Sequence, residues 1–347
     1  MDISMAAWAS IIALAIVVII SCINDDLNVA ILAIGFAIIV GSVFSADIIA
    51  ASGGKIKSLT GATIMGYFPT GLFMILAGVT FMFGLAQTNG TMEKLTAYSV
   101  RACKGNNALI PLVVYVITSV LTTIGPGNIA ATALLAPVMM AIATRVGMPA
   151  FLMTLLVVGA ANGAAFSPFA PTGIISNGII AKMAPELGIP TDALGGLGWK
   201  IHFNSMMAQG LINIGGFFIL GGWAWISAQR GKSIDIDELA PKPAPFDRNQ
   251  LMTIAAIAIL IIMVVVPGLP MFKGVFPKAF MAMVANVGSV AFIISAFLLL
   301  FNAGDSKAAI KAMPWGVMMM VCGVSVLIEV MDRSGGLNAL VQLIGAI

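Results

Sequence analysis

Apolar residues run along this chain in long blocks, and charged residues fall almost entirely between them. Crossing about 30 Å of hydrocarbon as a helix takes about 20 residues. Blocks of that order are Ala6–Ile23, Leu27–Phe44, Phe68–Gln87, Phe203–Ala228, Leu251–Val266, Phe280–Phe301 and Trp315–Val330. Each predicts one spanning helix. Two longer stretches, Ala108–Thr144 and Pro149–Met183, are equally apolar but are interrupted near the middle by Gly, Pro and small polar residues. Lipid cannot satisfy free backbone groups, so irregular backbone at membrane depth survives only when buried in protein or lining a cavity. The pattern predicts an all-α integral membrane protein whose chemistry sits at those two interruptions.

Composition removes the soluble alternative. The 347 residues are 60% hydrophobic and 9% charged, with a mean hydropathy of +1.07. A soluble domain carries about a quarter charged residues. The expected surroundings are therefore a lipid bilayer, with the chain as a multi-pass protein. A net charge of +3, dispersed over loops, gives no footprint for nucleic acid. Cys22, Cys103 and Cys322 are far apart and read as small packing residues. His202 is the only histidine and reads as a loop or interface residue, so no metal site is expected. An enzyme would need a nucleophile with its base, or a metal cluster, within the spans, and neither is present in the pattern. No Lys or Arg precedes the first apolar block, which favours a retained helix over a cleaved signal.

The stretch from Arg230 to Asn249 mixes charges of both signs with three prolines and reads as a linker. It divides the chain into a first membrane repeat (1–229) and a second (250–347). The repeats share landmarks. Pro69, Gly71, Gly78, Val79, Gly90 and Leu95 recur as Pro314, Gly316, Gly323, Val324, Gly335 and Leu340, always 245 positions apart. Internal repeats with broken helices are a common plan of secondary transporters. Counting crossings before the linker gives an odd number, so the second repeat is expected to be inverted. The distribution of Lys and Arg favours a cytoplasmic linker and an outside N-terminus.

The first interruption is Thr122-Thr123-Ile124-Gly125-Pro126-Gly127-Asn128. Gly-Pro-Gly cannot continue a helix, so 108–145 is expected to form a re-entrant hairpin of two half-length helices. A helix N-terminus at its tip would attract an anion. Asn128 either donates its amide to a carboxylate or caps the second half-helix, and both roles are compatible. The second interruption, Asn162 to Gly173 followed by Ser176-Asn177, contains Pro168 and Pro171 and predicts a broken helix over 149–183. Freed carbonyls with Ser167, Thr172, Ser176 and Asn177 could hold a small cation; alternatively these groups only patch their own backbone. Neither stretch holds an Asp or Glu, which favours sodium coupling, or none, over a proton relay. Glu329 lies four residues before Arg333 and reads as a helix pair.

Together these features resemble the ion-transporter superfamily of inverted-repeat carriers, which includes the divalent-anion/sodium symporters. The chain resembles the malonate/dicarboxylate carrier family, especially its N-terminal domain, over nearly its whole length, a resemblance that rests on the stretch from Phe68 to Asn177. In the symporters a Ser-Asn-Thr run at the hairpin tip binds a substrate carboxylate. Here that run is Gly127-Asn128-Ile129, with Thr132 a turn away. The symporters' broken-helix signature is matched loosely by Pro171-Thr172-Gly173-Ile174-Ile175-Ser176-Asn177. The resemblance implies an inner-membrane carrier for a small carboxylate such as malonate, bound at Gly127, Asn128, Thr132 and Thr172. It also implies Na+ near both breaks, at Thr123, Asn128, Ser167, Thr172, Ser176 and Asn177, and a homodimer. The rival expectations are an export permease for an inorganic anion and a truncated, non-transporting membrane protein. The interval from Pro69 to Asn128, counted on from Pro314, runs past Ile347. The second repeat is therefore expected to be incomplete, without its hairpin, broken helix and last span.

Overall fold

The computed structural model describes residues 3–24, 27–51, 58–101, 106–185, 188–232, 242–268, 272, 275–284 and 286–345. Its regular elements are helices. In chain order they are α1 (Met5–Ile23), α2 (Val29–Val43), α3 (Ser45–Ala51), α4 (Gly61–Met65), α5 (Thr70–Thr88), α6 (Thr91–Val100), α7 (Ile110–Ile124), α8 (Gly127–Val146) and α9 (Ala150–Ala164). There follow α10 (Pro171–Met183), α11 (Leu197–Phe217), α12 (Trp223–Gln229), α13 (Arg248–Val265), α14 (Lys278–Val284), α15 (Val287–Leu300), α16 (Ser306–Ala312), α17 (Trp315–Arg333) and α18 (Gly336–Gly345). Five stretches among the described residues are long and apolar enough to cross a membrane. This is an all-α membrane architecture. Cys322 is buried and Cys22 exposed, while Cys103 lies outside the described residues, as do positions 233–241 of the expected linker.

The 245-position spacing reappears as geometry. α5 and α17 are each 19 residues long, and α6 and α18 each 10, with every boundary displaced by that spacing. The turns between them pivot on Gly90 (φ 77°) and Gly335 (φ 78°). In mid-helix, Thr80 Oγ1 donates to the Leu76 carbonyl at 2.7 Å, and Ser325 Oγ donates to the Val321 carbonyl at 2.8 Å. Hydroxyls that bond back to the preceding turn in this way are satisfied along their own helix.

Two compact units form, Met1–Met74 with Pro314–Ile347, and Ile75–Met313. These units and the sequence halves are different divisions of the chain. In the first unit α1 and α2 of the first half pack with α17 and α18 of the second. A β-carbon on Gly323 would lie 2.6 Å from Ala30 Cβ, so α17 and α2 touch at backbone distance. Ala13, Val17, Ala33, Ala37, Val326 and Val330 close the core between them. Ser10 Oγ and Ser334 Oγ hydrogen-bond at 2.9 Å where α17 ends. The Glu329–Arg333 pair expected from the sequence forms at 2.8 Å, and the Arg333 guanidinium lies 4.5 Å from the Tyr67 ring.

The second unit repeats this plan with the halves exchanged: α13 and α15 of the second half pack with α5 and α6 of the first. Gly78, the counterpart of Gly323, approaches the Gly288 carbonyl and the Phe292 ring so closely that a β-carbon would have no room. Asn89 Nδ2 donates to Thr253 Oγ1 at 2.8 Å, in the place of the Ser10–Ser334 contact. Helix starts match too. Ser4 caps α1 and Asp247 caps α13, while Asn28 caps α2 and Asn286 caps α15. The single span expected over Phe280–Phe301 is a correction. Asn286 starts a new helix there, and α14 and α15 meet at 87°. The span expected over Phe203–Ala228 is continuous but kinks at Gly221 (φ 113°) between α11 and α12.

The same unit carries α7–α12, with α7, α8 and α11 all packed on α9. The base of the α7–α8 hairpin is held by α12. Asn107 Nδ2 donates to Gln229 Oε1 at 3.1 Å, and Gln229 Nε2 donates to the Val146 carbonyl at 3.2 Å. Trp225 Nε1 donates to the Gly147 carbonyl at 3.0 Å. One glutamine thus ties the beginning of α7 to the end of α8.

Two outcomes test this packing. Gly78→Val and Gly323→Val should each cost about 1–3 kcal/mol of stability by overpacking, read as lowered melting temperatures in detergent. Gly35→Ala, where nothing lies within 4 Å, should be neutral or stabilising. Gln229→Leu leaves a buried amide and carbonyl unpaired and should cost about 1–3 kcal/mol. Adding Asn107→Leu should recover part of that loss in the same melting assay.

Candidate functional site

The hairpin turns at Gly125 (φ 151°) and Gly127 (φ 81°), backbone angles that a residue with a β-carbon rarely adopts. Gly125 also lies against the Phe83 ring, where a side chain would collide. The arms are not half-length: α7 has 15 residues and α8 has 20. With its preceding 3-10 turn, α7 is long enough to cross a membrane, and α8 bends by 44° between Ala136 and Val138. The intervening Pro137 removes one hydrogen bond and explains the bend.

The second break separates α9 from α10 over residues 165–170. Its bare carbonyls are covered closely. Gly173 lies on the Phe166 and Ser167 carbonyls, with no room for a β-carbon. Ser167 is fully buried. Its Oγ accepts from the Phe169 amide at 3.3 Å and donates to the Thr123 carbonyl at 2.6 Å.

That last bond joins the two breaks. It brings the C-terminal end of α7 to the segment that follows α9. The N-terminal ends meet as well: a β-carbon on Gly127 would lie 2.9 Å from Pro171 Cδ, so the first residues of α8 and α10 are in contact. Neither helix has a side-chain cap, since Pro126 and Ala170 stand at the cap positions. Like ends of two helices therefore meet at Gly127 and Pro171, while the carbonyl end of α7 meets the segment that follows α9. Each such end carries about half an elementary charge. No Asp, Glu, Lys or Arg occurs from Ile110 to Thr144 or from Pro149 to Ala181 to offset them. The arrangement can accept an anion at the N–H ends and a cation at the carbonyl ends.

The residues expected from sequence are distributed unevenly over this junction. Thr123 and Ser167 are bonded directly. Gly127 touches Pro171, the neighbour of Thr172. Asn128 is in the first turn of α8 without capping it, which corrects the capping role. Its Nδ2 instead donates to Asn162 Oδ1 at 3.0 Å. Thr132 follows Asn128 by one turn on α8 and is half-buried. Ser176 is half-buried farther along α10, and the Asn177 amide lies against Gly198 at the start of α11. Asn177 is thus turned to another helix. His202 is also a correction: it is 2% exposed within α11, its ring beside Trp199 and Phe203. Trp199 in turn meets Phe169 of the break edge-on, with ring centroids 5.7 Å apart.

Two groups at the junction stood within the interruptions but were given no role by the sequence reading. Asn162 sits in the last turn of α9, where a lone asparagine in an apolar run gives no periodic signal. Thr122 is fully buried, and its hydroxyl has no partner among the described residues. A hydroxyl one turn after Thr118 is usually expected to bond back along its own helix, as Thr118 does to Val114.

The model of one family, the dicarboxylate carrier protein MatC N-terminus, matches residues 5–165. No curated protein matches the chain at a significant level. The matched stretch includes α1 to α9, hence the whole hairpin with Thr123, Gly127, Asn128, Thr132 and Asn162. It stops one residue past α9, before Ser167, Thr172, Ser176 and Asn177. Over that stretch, somewhat less than half of its length, the chain is similar to the MatC-type dicarboxylate carriers, the family that its sequence resembles.

Proposed function

We propose that this protein is a sodium-coupled secondary transporter of small dicarboxylates, malonate foremost, in the inner membrane of the cell. The observation that carries the reading is the pairing of like helix ends at the junction of the two breaks. The uncapped N-termini of α8 and α10 meet at Gly127 and Pro171. The carbonyl ends are joined through Ser167 and Thr123. Like poles repel across such contacts unless an ion of opposite sign sits between them. A dicarboxylate suits the first meeting place, with Asn128, Thr132 and Thr172 around it. A sodium ion suits the second, with the Thr123 carbonyl and Ser167 as its nearest oxygens. Half-helix N-termini toward an anion and freed carbonyls toward a cation are the working parts of such carriers. The hairpin-bearing core would move against a scaffold of outer spans, which in a homodimer would also form the interface.

Two outcomes follow in proteoliposomes. Uptake of labelled malonate should fall when sodium is replaced by choline, and succinate should compete while arsenite should not. Competition by arsenite alone would instead support an inorganic-anion permease. Asn128→Ala should reduce malonate uptake about tenfold or more through loss of a hydrogen bond to a charged group, with membrane insertion unchanged. Unchanged uptake would remove Asn128 from the site.

A further inference from the structure

The amide of Asn162 is unaccounted for by the roles given above. It is exposed, in the last turn of α9. Its Oδ1 accepts from Asn128 Nδ2 at 3.0 Å, and its own Nδ2 has no partner among the described residues. An exposed carboxamide in the middle of an apolar segment is costly against lipid. Such a group persists where its surroundings are a watery cavity or a ligand. The hydrogen bond has a second consequence. It uses one of the two N–H groups of Asn128 Nδ2 and so fixes the plane in which the Asn128 amide is held, its other N–H remaining for a ligand. Of the two side chains, Asn162 then has both N–H groups of its amide available.

We infer that Asn162 is a substrate-binding residue of the carrier: it holds the Asn128 amide in place and donates its own N–H groups to a carboxylate. The inference rests on the carrier reading above and adds a residue from α9 to a site otherwise built from α8 and α10. It also assigns the sign of the ligand at this spot. Two N–H donors beside the contacting N-termini of α8 and α10 select an anion over the coupling cation.

The test measures labelled malonate uptake by the reconstituted full-length protein and by Asn162→Asp and Asn162→Ser. Aspartate keeps the side-chain shape and an acceptor for Asn128 Nδ2, but removes the donors and adds a negative charge. A role limited to clipping α8 to α9 would survive that change. A binding role should raise the apparent KM for malonate by about tenfold or more, with Vmax within about twofold of wild type. Asn162→Ser, neutral and short, should raise KM by about tenfold as well, and serves if the aspartate variant does not insert. An unchanged KM in Asn162→Asp, or in Asn162→Ser where only that variant inserts, overturns the inference while leaving the carrier reading intact. Absence of malonate uptake by the wild-type protein overturns both.

Discussion

A backbone N–H or C=O without a partner costs several kcal/mol in hydrocarbon. An apolar protein can therefore interrupt a helix only where another part of itself covers the freed groups. Here the two interruptions cover each other. Ser167 reaches out of one break to the Thr123 carbonyl near the end of α7 in the other. Gly173 folds α10 down onto the unwound carbonyls of Phe166 and Ser167. Gly127 admits Pro171 against the tip of the hairpin. Glycine is required at these positions by proximity as much as by backbone angle: any side chain would hold the breaks apart and leave their polar groups bare. With the breaks packed on each other, four helices present their ends within one unit without an ionised side chain between them.

The scaffold obeys a related constraint. In lipid, helices gain little by hiding apolar surface from each other, and close association relies on small residues that let backbones touch. The contacts of Gly78 with Gly288 and of Gly323 with Ala30 are such points. Each joins a helix of one half of the chain to a helix of the other. Each compact unit is consequently completed by its opposite half, and neither half can form its own four-helix set without the other. A polar residue at each crossing end, Asn89 or Ser334, ties the exchange with a hydrogen bond to Thr253 or Ser10. The α12 clasp does for the hairpin what these crossings do for the scaffold, fixing both of its ends to one helix.

What was legible in the sequence follows from how local the cause is. Gly125-Pro126-Gly127 forbids a helix through its own backbone, so the hairpin turn could be placed to the residue. The 245-position repeat was visible because close approach demands small residues at fixed places, and these survive where apolar side chains interchange. Features set by partners distant in sequence were not visible. Nothing near Asn128 announces that its amide turns toward Asn162, 34 positions on, and a capping role was the natural local reading. Hydropathy alone carries Phe280–Phe301 as one span, because the cap at Asn286 changes direction without changing polarity. His202 stands near the start of α11 and reads as interfacial, yet aromatic packing with Trp199 buries it. The arms of the hairpin exceeded expectation because length is fixed by packing on α9, and the sequence marks only the turn.

Neutrality of the junction bears on how two ions of opposite sign could be coupled. In the proposed carrier the anion and the cation need share no ligand. The pole that attracts the anion and the pole that attracts the cation lie on either side of the same breaks, a few residues apart. Drawing the carbonyl ends of α7 and α9 together around a cation also constrains where α8 and α10 begin, since Gly125-Pro126 joins α7 to α8 and residues 165–170 join α9 to α10. An anion that settles between those N-termini acts in return on the carbonyl ends. Each ion then stabilises the arrangement the other prefers, and by linkage the two effects are equal in free energy. A charged side chain in the junction would satisfy one pole permanently and remove that dependence. The absence of carboxylates from α7–α10 is on this reading a condition of coupling, and the amides of Asn128 and Asn162 are the kind of polar group it allows: able to orient an anion without replacing one.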